Sequence, residues 1–176
     1  FDEVVLADIV HLPQTARLIR PYPNVRQLAF DATGIVAALW RMPAGAALPA
    51  PADPLRGLDA DFLVSPNLLV QLPVKPRRLL EGRGRPAPEI AAFCRSLAQA
   101  HLAGLRAAAT TGAVVCLISE VEHLLCAPDG SIVERDLPLD GFEPELSGAE
   151  WIWDIAPRPE ADRRYDLRYR VVGTVL

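Results

Sequence analysis

Val4 to Leu12, VVLADIVHL, is a short apolar run whose composition suits a strand. Two further runs, NVRQLAF and GIVAALWRM, favour extended structure. The turn residues of DATG between them predict a β-hairpin. From Pro43 to Gly57 the pattern breaks: Pro43, Pro49, Pro51 and Pro54 exclude regular elements and predict a surface loop over 43–57. DADFLVSPNLLVQLPVKP is apolar again, but Pro66 and Pro73 restrict it to short or edge strands. KPRRLLEGRGRPAP then predicts a basic loop over about 73–88.

The strongest periodicity follows. Ile90, Cys94, Leu97, His101 and Leu105 recur at helical spacing, with Arg95, Gln99 and Arg106 on the other side. Pro88 suits a first turn and Glu89 complements the positive end of the helix dipole, so a helix is expected from about 88 to 109, ending near Gly112. AVVCLISEVEHLLC and SIVERDL, joined by APDG, read as a hairpin. AEWIWDIA and the alternating YDLRYRVVGTVL read as two more strands. Long β runs around one strong helix predict an α+β fold, a mostly antiparallel sheet packed on that helix, in a single domain over 1–176.

Composition narrows the function classes. The chain has 176 residues, 51% hydrophobic and 23% charged, enough apolar surface for a real core. Its net charge of −4 is unevenly placed. Residues 1–85 hold 10 basic and 8 acidic side chains, whereas 86–176 hold 8 basic and 14 acidic. The acidic half argues against nucleic acid or an anionic membrane as partner. No apolar run approaches the roughly 20 residues of a membrane span. The opening FDEVVLADIV lacks the basic start and long apolar run of a secretion signal. Cys94, Cys116 and Cys126 form no CxxC pair, so free thiols in a reducing cytoplasm are expected, with no metal and no cofactor.

ISEVEHLLC, residues 118–126, is the densest cluster of reactive side chains. In a regular strand, Leu117, Ser119, Val121, His123 and Leu125 share one face, and Cys116, Ile118, Glu120, Glu122, Leu124 and Cys126 the other. His123 is then divided from both glutamates unless a bulge rotates one of them across. Glu120 and Glu122 would stand about 7 Å apart on one face, a spacing compatible with acid–base hydrolysis or with a plain solvated strand. Cys94 and His101 share a helix stripe but lie about 10 Å apart along the axis, too far to pair. Arg77, Arg78, Arg83 and Arg85 are candidate contacts for anionic groups, although EGRGRP is not a phosphate loop. Trp151 and Trp153 share a strand face and form a candidate aromatic contact surface.

Two functions are compatible with this pattern. The first is a soluble, non-catalytic, bacterial-type domain acting by contact, as a subunit or ligand-binding module of a larger assembly. The second is a small-molecule enzyme of hydrolase or lyase type, whose acid–base groups (Glu120, Glu122 and His123 foremost) converge only in the fold. The basic segment opposes in sign the segment with Glu134, Asp136, Asp140, Glu143 and Glu145. Exchange of the two between chains predicts a protein-binding, salt-sensitive homodimer.

Overall fold

A computed structural model describes residues 1–139 and 141–176. The chain divides after Pro54, where the Pro-rich segment ends, into two units, Phe1–Pro54 and Leu55–Leu176. That segment carries no helix or strand, as its prolines require.

In the first unit, β1 (Val4–Asp8) leads to α1 (Pro13–Ile19), whose first residue is the proline at which the missing N–H costs nothing. Strand β2 (Val25–Ala29) then pairs with β1 in parallel, Val4 opposite Val25 and Asp8 opposite Ala29. The expected second strand of a hairpin is instead a helix, α2 (Val36–Arg41). Asp31 supplies the reason. Its Oδ1 accepts hydrogen bonds from Thr33 N at 2.9 Å and Thr33 Oγ1 at 2.6 Å, while Oδ2 accepts from Val36 N at 2.7 Å. The carboxylate thus fixes the turn ahead of the helix and satisfies one donor that a helix start leaves open, Val36 N, and Ala37, Ala38 and Leu39 propagate the turn. Gly34, at φ +65°, makes the reversal that a β-branched residue would resist.

The second unit runs β3 (Phe62–Pro66), α3 (Leu68–Gln71), α4 (Val74–Gly82), α5 (Ala87–Thr110), β4 (Val114–Cys126), β5 (Ile132–Asp136), β6 (Ala149–Ala156) and β7 (Asp166–Val175). Its five-stranded sheet has the order β3-β4-β7-β6, with β5 on the far half of β4. The sheet is mostly antiparallel and packs with one long helix, as the sequence predicts; β3 and β4 are parallel because α3, α4 and α5 form the crossover between them. The basic segment expected as a loop is α4. Pro76 is its third residue, inside the turn that tolerates proline, and Leu80, fully buried, anchors it.

Helix α5 spans 87–110 against the expected 88–109, and its predicted stripe is its buried face: Ile90, Cys94, Leu97, His101 and Leu105. It ends where Gly112 adopts φ +108°. The face lies on the sheet, where buried Ser65 of β3 meets His101 Nε2 at 3.0 Å. Ser65 stands opposite Leu117 in the β3–β4 register, so Val115, Leu117 and Ser119 belong to this helix-side face, as do Val172 and Thr174 opposite Ser119 and Leu117 on β7. All are buried. No helix among the described residues is long and apolar enough to cross a membrane.

Leu97 is 2% exposed. Leu97→Asp should cost about 3 kcal/mol or more by placing an unpaired charge between helix and sheet. A chemical-denaturation midpoint equal to that of the parent would show that this stripe does not carry the core.

Candidate functional site

Strand β4 does not alternate regularly. Its register against β7 slips between Glu120 and Glu122: Glu120 faces Val171 and Glu122 faces Arg170, leaving Val121 as the extra residue. Burial follows the slip. On the helix side the buried residues are Val115, Leu117 and Ser119 before it and Leu124 and Cys126 after it, while Glu120, also buried, lies on the other face. An extra residue reverses the phase of the strand. The expected face assignment is therefore wrong beyond the slip, and the two consequences are chemical.

The first is that Glu120 and Glu122 part. Glu122 turns to the helix-side face, where it accepts from Arg170 Nε at 3.0 Å and Arg135 Nη1 at 2.9 Å. Those guanidinium groups hold its carboxyl below the usual range, outweighing a desolvation cost that acts the other way. Arg170 also reaches Glu150 at 3.3 Å. This is a structural ion network, with no room for the paired-carboxylate chemistry that the regular strand predicts.

The second is that Glu120 and His123 meet. His123 Nε2 lies 2.9 Å from Glu120 Oε2, and its Nδ1 lies 3.9 Å from Asp136 on β5. The imidazole stacks on Tyr169 at 4.0 Å between centroids. Burial and the charge of Glu120 both raise the Tyr169 phenol above its ordinary value, placing that carboxylate within electrostatic reach of the ring. Glu120 is 8% exposed, a nearly buried acidic group bonded to the stacked imidazole. The bulge therefore assembles the His–carboxylate pair that a regular β4 would separate.

Trp151 and Trp153 join it. In the β6–β7 register Trp151 faces Val171 and Trp153 faces Tyr169, so both indoles lie on the Glu120 and His123 face, edge to face with centroids 6.1 Å apart. Continuing toward β3, the same face carries Phe62, Val64, Val114 and Val175, all exposed. Its charged strand positions are Glu120, Glu134 and Asp136. The sheet's arginines, Arg135, Arg168 and Arg170, all point to the helix side.

Arg77 and Arg78 lie on α4, Arg83 caps it, and Arg85 follows, bridged to Glu89 at 3.0 Å. Of the acidic residues expected to pair with them, Glu134 and Asp136 lie on β5, and Asp140 lies outside the described residues. A small cavity on the helix-side face is lined by Val121, Leu137, Glu143, Leu146, Glu150 and Arg170 among others, with no histidine. Among the described residues no three His, Cys, Asp or Glu side chains are arranged to hold a metal ion.

Two strand ends were not singled out in the sequence. Asp8 is exposed at the carboxyl end of β1, its Oδ1 accepting from Val10 N at 3.2 Å. Asn67 follows β3 with φ 53° and ψ 9°, left-handed values that among the described residues are otherwise found only in glycines, and its Oδ1 is buried without a partner. The Pro-Asn step in FLVSPNLL was the available sign, since asparagine tolerates that conformation. No protein-family description matches the sequence, and neither a curated protein nor a solved structure matches it.

His101 differs from His123. Burial lowers its pKa from 6.5 to about 4. The fold therefore holds it neutral, and the stability this represents is present above pH 6.5 and lost as pH falls from 6.5 toward 4, where only the unfolded chain takes the proton. The loss amounts to about 3 kcal/mol. His101→Gln should flatten the stability profile in that window, measured by urea unfolding at stepped pH. A profile of unchanged slope would place the acid sensitivity elsewhere.

Proposed function

We propose that the chain is a small-molecule-binding α/β enzyme domain, whose ligand is a nucleoside-type molecule without phosphate, held at the carboxyl ends of parallel strands. The observation that carries this reading is the β1-α1-β2 unit: two parallel strands joined by a helix, the first ending in the exposed carboxylate of Asp8. Open parallel sheets bind ligands outside the carboxyl ends of their strands, and an acidic side chain there accepts from ribose hydroxyls. Phe30 N donates to Asp8 O at 2.9 Å, keeping the end of β2 beside that of β1. The following stretches, IVHL and FDATGI, contain Asp31 and no Lys or Arg. Such an end suits hydroxyl and amino donors and repels phosphate.

In the second unit, the end of β3 supports the same class of reading. A left-handed Asn67 costs on the order of 1 kcal/mol or more, and a buried unpaired carbonyl costs more again. Both are repaid when a ligand N–H or O–H reaches Oδ1.

A second reading, action by contact with another protein, is favoured by one observation: Phe62, Val64, Val114 and Val175 leave a continuous apolar stretch of sheet exposed.

The first reading is tested by calorimetric titration with adenosine, S-adenosylmethionine and ATP. One of the phosphate-free nucleosides should bind, ATP should bind at least tenfold more weakly, and Asp8→Ala should abolish binding without lowering the melting temperature. Tighter binding of ATP, or full binding by the Asp8→Ala variant, would contradict it.

A further inference from the structure

Resting on the contact reading of the open sheet face, we propose that this face seats an amphipathic helix from a partner polypeptide, with an Arg or Lys of that helix brought over the aromatic rings to Glu120.

Four observations fix the chemistry of the occupant. The first is uncompensated apolar area. Phe62 is 45% exposed, Val64 46%, Val114 51% and Val175 68%. They belong to β3, β4 and β7, whose opposite face is already closed by α5. The parallel pair β3–β4 is of the kind that proteins bury on both faces, normally with helices. Four strands at about 4.8 Å spacing offer a width of roughly 15 Å, which accepts a helix about 10 Å across.

The second is charge. The strand positions of this face carry Glu120, Glu134 and Asp136, whereas the sheet's arginines lie on the other side. His123 bonds Glu120 and stands 3.9 Å from Asp136, but the acidic groups outnumber it and no Arg or Lys joins them, so a complementary occupant is basic.

The third is the aromatic floor. Trp151, Trp153 and Tyr169 lie on adjacent rows of β6 and β7, and indole and phenol faces attract guanidinium and ammonium groups. The fourth is Glu120 itself. His123 engages its Oε2, and a carboxylate accepts on both oxygens, so a cation arriving over the rings gains a charge-assisted hydrogen bond in partly dehydrated surroundings. Apolar residues at helical spacing on either side of that cation would cover the exposed valines and Phe62.

The test uses the whole chain as bait in a selection from a random library of 16-residue peptides. The strongest binders are then synthesised with a fluorophore and titrated by anisotropy. Enriched sequences should show apolar residues at i, i+3 or i+4, and i+7 around an Arg or Lys. Glu120→Gln should weaken binding of the selected peptides at least tenfold, and Trp153→Ala similarly. Val64→Glu changes an exposed position, so it should keep the fold and lose binding, whereas Gln99→Ala, exposed on α5, should change nothing. Circular dichroism melts of each variant separate lost docking from lost folding. Binders that are acidic, uncharged or extended, yet blocked by Val64→Glu, would leave the contact reading standing and overturn this inference. So would a concentration-dependent dimer in light scattering that Val64→Glu dissolves, which would make a second copy the occupant. Failure to enrich any peptide over the Val64→Glu bait, with the chain monomeric, would overturn both.

Discussion

The chemistry of the sheet depends on one surplus residue. Strand β4 carries Val121 between Glu120 and Glu122 with no partner of its own on β7. Side chains alternate with a period of two, so a single insertion exchanges the faces of everything beyond it. Before the slip, the odd-numbered residues of β4 pack under α5; after it, Leu124 and Cys126 are the buried ones. The exchange lets one strand bury aliphatic side chains along its whole length. It also sends Glu122 to the arginines on one face and leaves Glu120 with His123 on the other.

The two faces that result have different physical characters. On the helix side, Glu122, Arg135, Arg170 and Glu150 satisfy one another, so their charges stabilise the sheet and offer little to a ligand. On the open side, acidic groups, aromatic rings and exposed valines lie together with no Arg or Lys among the strand positions. Exposed apolar area and buried polar atoms without a partner are where binding is worth seeking. The same reasoning singles out Asn67, whose conformation and buried Oδ1 both cost free energy that nothing in the described chain returns.

Much of the fold was legible in the sequence for reasons that the structure makes plain. Helix α5 is long enough for its stripe to repeat, so Ile90 to Leu105 announced both its extent and its buried face. The APDG turn fixed the β4–β5 hairpin through local chemistry alone, with Gly130 at φ +85°. Short elements were not legible. GIVAALW has the composition of a strand, and the carboxylate of Asp31 overrides that preference by capping the turn ahead of it. KPRRLLEG reads as a breaker region until Leu80 finds the core. The site was half legible: ISEVEHLLC identified the reactive residues, and the requirement of a bulge for Glu120 and His123 to meet followed from strand geometry. That β4 contains the bulge did not follow, because the slip is set by pairing with β7, some 50 residues downstream in sequence. Tyr169 entered the site through the same pairing, and Asp136 through the β4–β5 hairpin.

Strand β4 changes phase at Val121 and places His123 on the face of Tyr169, Trp153 and Glu120. Nuclear Overhauser contacts from the His123 ring protons test it most directly, since they report side-chain neighbours in solution. Strong contacts to the Tyr169 ring are expected, and none to α5. Contacts from His123 to residues of α5, with Glu120 and Glu122 on one face, would contradict it.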